Sequence, residues 1–474
     1  MAHGGSALGR AGGKTIFVPY TVPGETVEMR LVEDRGRWAT AELVRVVKPS
    51  PDRVTPPCPH FGPPDDGGRR TEGEAGEARE FARGCGGCQW QHIAYPAQLR
   101  LKQAVVRDQF ARIGKLPDVD VRPTIGMDEP WYYRNHVQFH VTEDGRLGFR
   151  ALREHTVIPI QVCYIMQPGV EALWQSLDLE FPELRQVVLR GDMGTDDRLA
   201  LLRSDFDELP ELEVDFPVSI NLELSDGQVV NLIGAPWLMA HVAGRDFRVS
   251  ADAFFQVNTR MAEVLVRQVR EGLRPRGGQT LLDLYAGVGL FGLALAGEMG
   301  QVVAIEEHPG AVRDWEVNAQ GLDNVRVLPG QVETVLPTLQ ERVDLVVLDP
   351  PRAGVELPAL DALAALRPPR IVYVSCDPAT LARDAARLVQ QGYRVRYVQP
   401  VDMFPQTWHI ECVALLELDG GSVSERRTDD GGQKAEGGKQ KAEGGRQKAV
   451  GGRKTEDRGR KAGGGRQKRG GGRR

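Results

Sequence analysis

The sequence predicts an α/β architecture: a doubly wound, Rossmann-like parallel sheet over 241–418, preceded by a small β-barrel over 1–55 and a mixed, mainly β segment over 56–240. Three observations predict it. From 241 onward, short apolar runs (TLLDLY, VVAIE, VDLVVLD, RIVYVSC) alternate with helical stretches, and continuous apolar runs suit strands buried on both faces of a parallel sheet. The first of these runs passes into a tight glycine loop and then a helix. Between 14 and 47 the chain instead alternates polar and apolar residues, as in TVEMRLVE, and is punctuated at Pro23-Gly24, the pattern of short half-buried strands joined by turns.

Residues 14–47 therefore form the strands of the barrel. SPDRVTPPCPHFG is too rich in proline for regular structure, and 63–80 reads as a polar, mobile insertion. Tyr95 to Gly114 has helical periodicity, with Leu99, Val105, Val106, Phe110 and Ile113 on one face, Pro96 in the first turn and Gly114 as C-cap. HVQFHV, GRLGFRA, QVVLRGDM, RLALLR and VVNLIG are strands of the central segment. NTRMAEVLVRQVREGL is a helix leading into the α/β region, and the closely spaced final runs RVRYVQPV and CVALLEL permit an antiparallel edge strand. Beyond Leu418 a degenerate glycine-paired repeat, GGQKAEGGKQKAEGGRQKAVGGRK, has almost no large apolar side chains. It cannot bury enough surface to offset its ordering entropy, so 419–474 is expected to be disordered.

At 474 residues the chain exceeds what one hydrophobic core usually spans, which implies several domains. A 41% hydrophobic and 26% charged composition is that of a soluble globular protein. No apolar run reaches the roughly 18 residues of a membrane span, and the first residues lack the apolar core of a secretory signal. Six cysteines in so long a chain suggest a reducing compartment with thiols as ligands or nucleophiles. A cytoplasmic protein with no membrane partner is expected. Its net charge of −5 hides an asymmetry: Glu425 to Arg474 carries 17 Lys plus Arg against 7 Asp plus Glu, a net of +10, which leaves the remainder at −15. An acidic body with a basic tail suits approach to a polyanion.

LDLYAGVGLFGLALA places Asp283 in the first parallel strand, followed by Gly287-Val288-Gly289, whose glycines let backbone approach a ligand. VVAIE ends in Glu306, 23 residues after Asp283, where an acid can accept both hydroxyls of a ribose. Gly287, Gly289 and Gly292 also satisfy the dinucleotide spacing G-x-G-x-x-G, so the loop alone does not choose its cofactor; Asp283 and the residues downstream do. VDLVVLDPPRAG ends a strand at Asp349, and RIVYVSCDPATLARD ends the next at Cys376. Ligands of such sheets sit beyond the carboxyl ends of the strands, so both residues face the cofactor crevice. A cysteine there is exposed enough to act as a nucleophile. Cys412, which begins an apolar strand, belongs to the core, and Glu411 stands at the start of that strand.

ADAFFQVN, LDLYAGVG, DPPRAG, VSCDPATLARD and HIECV, in this order, resemble the RNA 5-methyluridine methyltransferase family, over about 14–418. The resemblance implies a class I methyltransferase domain that uses S-adenosyl-L-methionine, and an N-terminal TRAM-type RNA-binding barrel. It implies Cys376 as the nucleophile that adds to uracil C6 and Glu411 as the base that removes the C5 proton. Gln256, Tyr285, Glu306, Asp349 and Gly287 would contact the cofactor, with Gln331 near its adenine. Phe254 would lie beside a target base extruded from its stack. Ala286 departs from the cysteine of many members, with little expected effect. The implied substrate is 23S ribosomal RNA; transfer RNA is the alternative, and a non-catalytic RNA-binding assembly factor is a reading from another class. A monomer is expected. Asp-Pro-Pro alone also suggests amino-group methylation, but Arg352 stands where that chemistry usually has an aromatic.

The remaining cysteines are Cys58, Cys85, Cys88 and Cys163. The Cys85-Gly-Gly-Cys88 clip and Cys58 lie in Gly/Pro-rich loops, and four such thiols could hold zinc, an iron–sulphur cluster or nothing. Many members of the family resembled carry a [4Fe–4S] cluster on C-x₅-C-G-G-C plus a distant cysteine. Here 26 residues separate Cys58 from Cys85, the surplus being the polar insertion, and a longer loop adds little closure entropy. A structural [4Fe–4S] cluster is expected, with zinc as the alternative. Trp131 to His136 mixes aromatics with Arg134, which the resemblance makes an RNA contact. The basic tail would add salt-sensitive affinity for RNA.

Overall fold

A computed structural model describes residues 1–62, 84–152, 154–179, 184–191, 193–205, 209 and 211–419. The predicted mobile insertion at 63–80 and the tail from 420 onward lie outside the described residues.

The chain begins with β1 (Ala7–Ala11), β2 (Lys14–Val18), β3 (Thr26–Asp34) and β4 (Trp38–Lys48), joined in the order β1-β2-β4-β3. Pairing is antiparallel except between β2 and β4. The predicted barrel does not close: among the described residues β1 and β3 remain unpaired edges. Closure requires strands tilted and staggered around a filled interior. Here the buried set is only Ile16, Val18, Ala39 and Ala41, while Leu31, Val32, Val44 and Val47 are exposed.

The predicted helix is α1 (Tyr95–Arg112). Val105, Val106 and Phe110 are buried as expected, but Leu99 is only half-buried and Ile113 is exposed. Gln98 and Lys102 are buried instead. The reason is a polar loop, 402–409, packed against this helix. Lys102 Nζ donates to Asp402 Oδ1 at 2.6 Å and to the Phe404 carbonyl at 3.1 Å, and Gln98 Nε2 donates to Gln406 Oε1 at 2.9 Å.

The central segment contains β5 (His136–Val141), β6 (Leu147–Arg150), β7 (Val157–Pro159), α2 (Pro168–Gln175), β8 (Leu184–Gly191), β9 (Arg198–Ser204), β10 (Ser219–Glu223) and β11 (Val229–Ile233). Its sheet runs β11-β10-β9-β8-β5-β6-β7. A hairpin, β12 (Trp237–Val242) and β13 (Arg245–Ser250), leads to α3 (Thr259–Leu273). Asn258 caps α3 by accepting the Met261 N–H, and its amide donates to the Met403 carbonyl at 3.1 Å.

The α/β region follows as β14 (Thr280–Leu284), α4 (Leu290–Leu295), β15 (Gln301–Glu306), α5 (Pro309–Asn318), β16 (Val325–Pro329), α6 (Val332–Val335), β17 (Leu345–Leu348), α7 (Leu357–Ala365), β18 (Arg370–Ser375), α8 (Pro378–Gln390), β19 (Tyr393–Val401) and β20 (Glu411–Leu418). Its sheet order is β16-β15-β14-β17-β18-β20-β19. Strands β14 to β18 pair in parallel with largely apolar interiors, as the continuous runs predicted, Asp283 in β14 and Arg326 in β16 being the exceptions. The antiparallel strand is not at the edge. β20 inserts between β18 and β19 and runs against both. One buried cluster joins the central sheet (Phe139, Leu189) to α3 (Leu265) and one face of this sheet (Val347); a second covers the opposite face against α1, α7 and α8. Residues 120–125 pair with β19, the Arg122 and Ile125 N–H groups donating to Val398 and Pro400 carbonyls at 2.9 Å, so that the edge is covered.

Candidate active site

The insertion of β20 brings the two predicted reacting residues together. In the antiparallel register Ser375 faces Cys412, so the next pair beyond the strand end is Cys376 opposite Glu411. The sequence separates them by 35 positions. The same register buries Cys412 completely, as expected.

Cys376 stands immediately before α8. Asp377 caps that helix, its Oδ1 accepting the N–H groups of Ala379 at 2.8 Å and Thr380 at 3.0 Å, with Pro378 as the first helical residue. Cys376 thus precedes the cap of the helix by one residue. Burial pushes the pKa of its thiol up to about 11, and the negative charges of Glu411 and Asp349 add to this; the Arg352 guanidinium, hydrogen-bonded to the thiol, pulls it down. Glu411 is buried and held well above the ordinary carboxyl range, first by desolvation and then by Asp349. Its Oε1 has no hydrogen-bond partner among the described residues. Asp349 is raised to about 7 by burial and accepts a hydrogen bond from Gln256 Nε2 at 3.4 Å. One edge of the sheet therefore carries a thiol, two carboxyls short of positive charge, and one guanidinium.

Arg352 was legible in the sequence only as a residue after Asp-Pro-Pro; the structure makes it the cation of the site. Its Nη2 lies 3.3 Å from His409 Nδ1. His409 stacks on Trp408 with ring centroids 4.1 Å apart, and burial together with Arg352 lowers its pKa to about 3, so it is neutral. The loop bearing Arg352 is fixed from below by Asp384, fully buried, whose Oδ2 accepts the Val355 N–H at 2.9 Å and the Tyr373 hydroxyl at 2.7 Å. Gly354 has φ +77°, and a Cβ there would lie 2.5 Å from Asp384 Oδ2. Asp384 closes the motif VSCDPATLARD, which explains why that stretch extends past the cysteine. Asn135, also unforeseen, holds the Gln256 segment by donating to the Gln256 carbonyl at 3.2 Å and Thr259 Oγ1 at 2.8 Å.

The cofactor loop joins β14 to α4. Gly287 and Gly289 have φ of 55° and 99°, and Tyr285, at 60°, takes a conformation that side chains rarely adopt. Glu306 Oε2 accepts the Gly287 N–H at 2.8 Å and Oε1 accepts the His308 N–H at 2.7 Å. The acid at the end of β15 thus shapes the loop, with lone pairs left for a ligand. Asp283 is buried under the loop, accepts the Gly292 N–H at 2.8 Å, and is raised to about 7 by desolvation. The Tyr285 hydroxyl donates to Glu333 Oε1 at 2.7 Å. Gln331 is exposed at the start of α6. Phe254 is 67% exposed, two residues before Gln256, an apolar ring left in solvent at the edge of the site.

Cys58, Cys85, Cys88 and Cys163 line a single cavity of about 140 Å³. Burial pushes all four thiols up, Cys85 to about 12, with mutual repulsion of the sulphurs contributing for Cys85, Cys88 and Cys163. No group of three His, Cys, Asp or Glu among the described residues converges on a single ion position. Arg134 lines this cavity rather than the catalytic edge. Its charge acts on both Cys163 and His409.

A Rossmann-type sheet with a glycine loop after its first strand, and a thiol, two acids and a guanidinium beyond its carboxyl ends, defines the fold of a class I methyltransferase. The tRNA (Uracil-5-)-methyltransferase family matches residues 238–419. An uncharacterised RNA methyltransferase of Streptomyces coelicolor is 40% identical, over 88% of this chain and 91% of that protein. One from Halalkalibacterium halodurans is 35% identical, over 88% and 95%. The crystal structure of Pyrococcus abyssi tRNA (uracil-54, C5)-methyltransferase in complex with S-adenosyl-L-homocysteine is similar with a TM-score of 0.64 and 25% identity, covering 87% of this chain and 97% of that one. The chain belongs to the RNA uracil-C5 methyltransferase family. No helix among the described residues is long and apolar enough to cross a membrane.

Proposed function

We propose that this protein methylates carbon 5 of a uridine in RNA through a covalent adduct between Cys376 and uracil C6. The observation that carries the reading is the antiparallel register that sets Cys376 against Glu411, with Asp349 and Arg352 beside them. Bound S-adenosyl-L-methionine supplies an electrophilic methyl group on a sulfonium cation. Glu306, Gly287, Tyr285 and Gln331 line its nucleoside side, and Gln256 and Asp349 its reacting end. The solved relative's bound S-adenosyl-L-homocysteine supports S-adenosyl-L-methionine as the methyl donor.

Uracil C5 is a poor nucleophile. Addition of the Cys376 thiolate to C6 moves an electron pair toward C5 and O4, which divides one difficult step into easier ones. Arg352 stabilises the thiolate as the thiol proton passes to solvent. The electron pair at C5 would then bond to the methyl carbon as its bond to sulphur breaks, the pair staying on sulphur and leaving S-adenosyl-L-homocysteine. Glu411 removes the C5 proton, and the electron pair left behind re-forms the C5=C6 double bond as the Cys376–C6 bond breaks and its pair returns to the sulphur. Burial holds Glu411 and Asp349 toward their neutral forms, and a cation placed beside them favours the carboxylates, so the base gains its charge as the site fills. Phe254 offers a stacking face to a base taken out of its helix, a change that costs roughly a few kcal/mol.

We infer further that Cys58, Cys85, Cys88 and Cys163, which line one cavity, hold a [4Fe–4S] cluster in a structural role, with zinc as the alternative. Neutral thiols deep in an apolar pocket are a costly donor set unless a positive group binds them as thiolates. Iron and acid-labile sulphide in the purified protein, lost in Cys88→Ser, test this; zinc without iron refutes it. Action as a monomer is part of the same proposal. The substrate proposed is 23S ribosomal RNA, on the resemblance noted above. Transfer RNA is the second reading, favoured by the Pyrococcus relative. The deciding experiment incubates the protein with S-adenosyl-L-methionine and RNA tritiated at uridine C5, and counts tritium released to water. Release abolished in Cys376→Ala supports the mechanism; no release from ribosomal or transfer RNA refutes it. A T-arm hairpin that suffices as substrate favours the transfer RNA reading.

A further inference from the structure

A second site lies on the central sheet and shares no residue with the catalytic edge. At one register, side chains from four adjacent strands form a polar row: His140 on β5 faces Gln186 on β8, Gln186 faces Arg203 on β9, and Arg203 faces Glu223 on β10. The row is locked by hydrogen bonds. Arg203 Nε donates to Glu223 Oε2 at 2.8 Å, Arg203 Nη1 donates to Gln186 Oε1 at 3.2 Å, and Gln186 Nε2 lies 3.2 Å from His140 Nδ1. Arg150, His155 and Arg185 complete a pocket of about 490 Å³ over this row.

The pocket's lining carries three guanidiniums and two imidazoles against the single carboxylate of Glu223. In a chain of net charge −5 three guanidiniums gathered in one pocket are a local arrangement, not an overall bias, and burial and Arg150 hold His140 toward its neutral form. Arg150 and Arg185 are exposed, Arg185 resting at the pocket rim on Asp205 Oδ1 at 2.8 Å and the Ser204 carbonyl at 3.3 Å, partners a phosphate would share or displace, whereas Arg203 is half-buried and held by Glu223 and Gln186. A fixed guanidinium flanked by two adaptable ones fits a chain of phosphates, which arginine recognises with paired donors. Gln138, which lines the cysteine cavity, donates to Gln186 Oε1 at 2.6 Å, so the two cavities share one sheet face.

We infer that this pocket binds backbone phosphates of the substrate RNA away from the methylated base, positioning the strand by charge and without reading sequence. The inference rests on the RNA reading above. Its test is cofactor-free binding of a fluorescent oligouridylate of roughly 20 nucleotides, titrated over a range of salt concentrations. In Arg150→Ala/Arg185→Ala the affinity should fall about 10-fold at ~0.1 M salt, and the slope of log affinity against log salt should shrink by about 1.4, at ~0.7 for each lost phosphate contact. Arg112→Ala, which removes an exposed charge on α1, controls for diffuse electrostatics, and thermal melting confirms that each variant is folded. Unchanged affinity and slope, or an equal loss in Arg112→Ala, overturns the inference. So does saturable binding of uridine monophosphate that the double variant loses while oligouridylate binding is kept, which would mark a mononucleotide site. Because binding is read without S-adenosyl-L-methionine, failure of tritium release alone would sink the methylation reading and leave this one standing.

Discussion

Replacing Arg352 tests the electrostatics of the site most directly. Its guanidinium is hydrogen-bonded to Cys376 and is the positive charge that opposes burial, Glu411 and Asp349 at that thiol. A hydrogen bond to a charged group contributes about 1.5–3 kcal/mol; because Cys376 is partly open to solvent, the low end applies, about 1.5 kcal/mol, or roughly one pKa unit. Arg352→Gln should therefore raise the thiol pKa further. In the tritium-release assay, kcat/KM rises with pH as the thiolate of the free enzyme forms. The variant should be about 10-fold slower at any pH on that rising limb, with the limb moved about one unit to higher pH. Arg352→Lys, which keeps charge but not the fork, should recover part of the loss. Binding of S-adenosyl-L-homocysteine, measured by calorimetry, should change little. A rising limb at its original pH with unchanged rates would refute the assignment of Arg352 to the thiol. A loss confined to KM would instead assign it to RNA binding.

Three further expectations follow from the geometry. Glu411→Gln should still form the Cys376 adduct, seen as a protein–RNA band stable to denaturation, while tritium release falls by about 10²–10⁴; loss of the adduct itself would give Glu411 an earlier role. Lys102→Met leaves the Asp402 carboxylate buried and unpaired, so chemical denaturation should show a loss of about 3–5 kcal/mol and tritium release should also fall, since Asp402 begins the loop leading to Glu411; Lys102→Met/Asp402→Leu should regain most of the stability, and equal losses in both variants would contradict the pairing. Asp283, raised to about 7 by burial, binds its proton more tightly folded than unfolded, so its contribution to stability falls as pH rises from ~4, its unfolded value, through the folded pKa; Asp283→Asn should gain on the wild type between those values, and a difference independent of pH would refute the shift.

Much of this was readable from the chain alone. Period and composition are local properties, and they yielded the α/β region, the helix from Tyr95, and a core place for Cys412. Cys376, Asp349 and Glu306 were legible because strand ends in a parallel sheet share one edge, so position along the sequence implied position in space. Glycine at 287 and 289 announced a loop that side chains would obstruct. What the sequence could not supply were the pairings that depend on partners far along the chain. Apolar spacing put Leu99 and Ile113 in the core, and the buried places went to Gln98 and Lys102 because Asp402, Phe404 and Gln406, some 300 positions later, supply their hydrogen-bond partners. Short alternating strands implied a barrel, whereas closure depends on tilt and stagger that no single strand encodes. β20 could have joined the edge; its insertion between β18 and β19 sets Glu411 against Cys376. The partnership of Arg352 with that thiol, and the gathering of four cysteines around one cavity, likewise exist only once the sheets are packed, because burial and charge at each group are set by neighbours that the order of residues does not name.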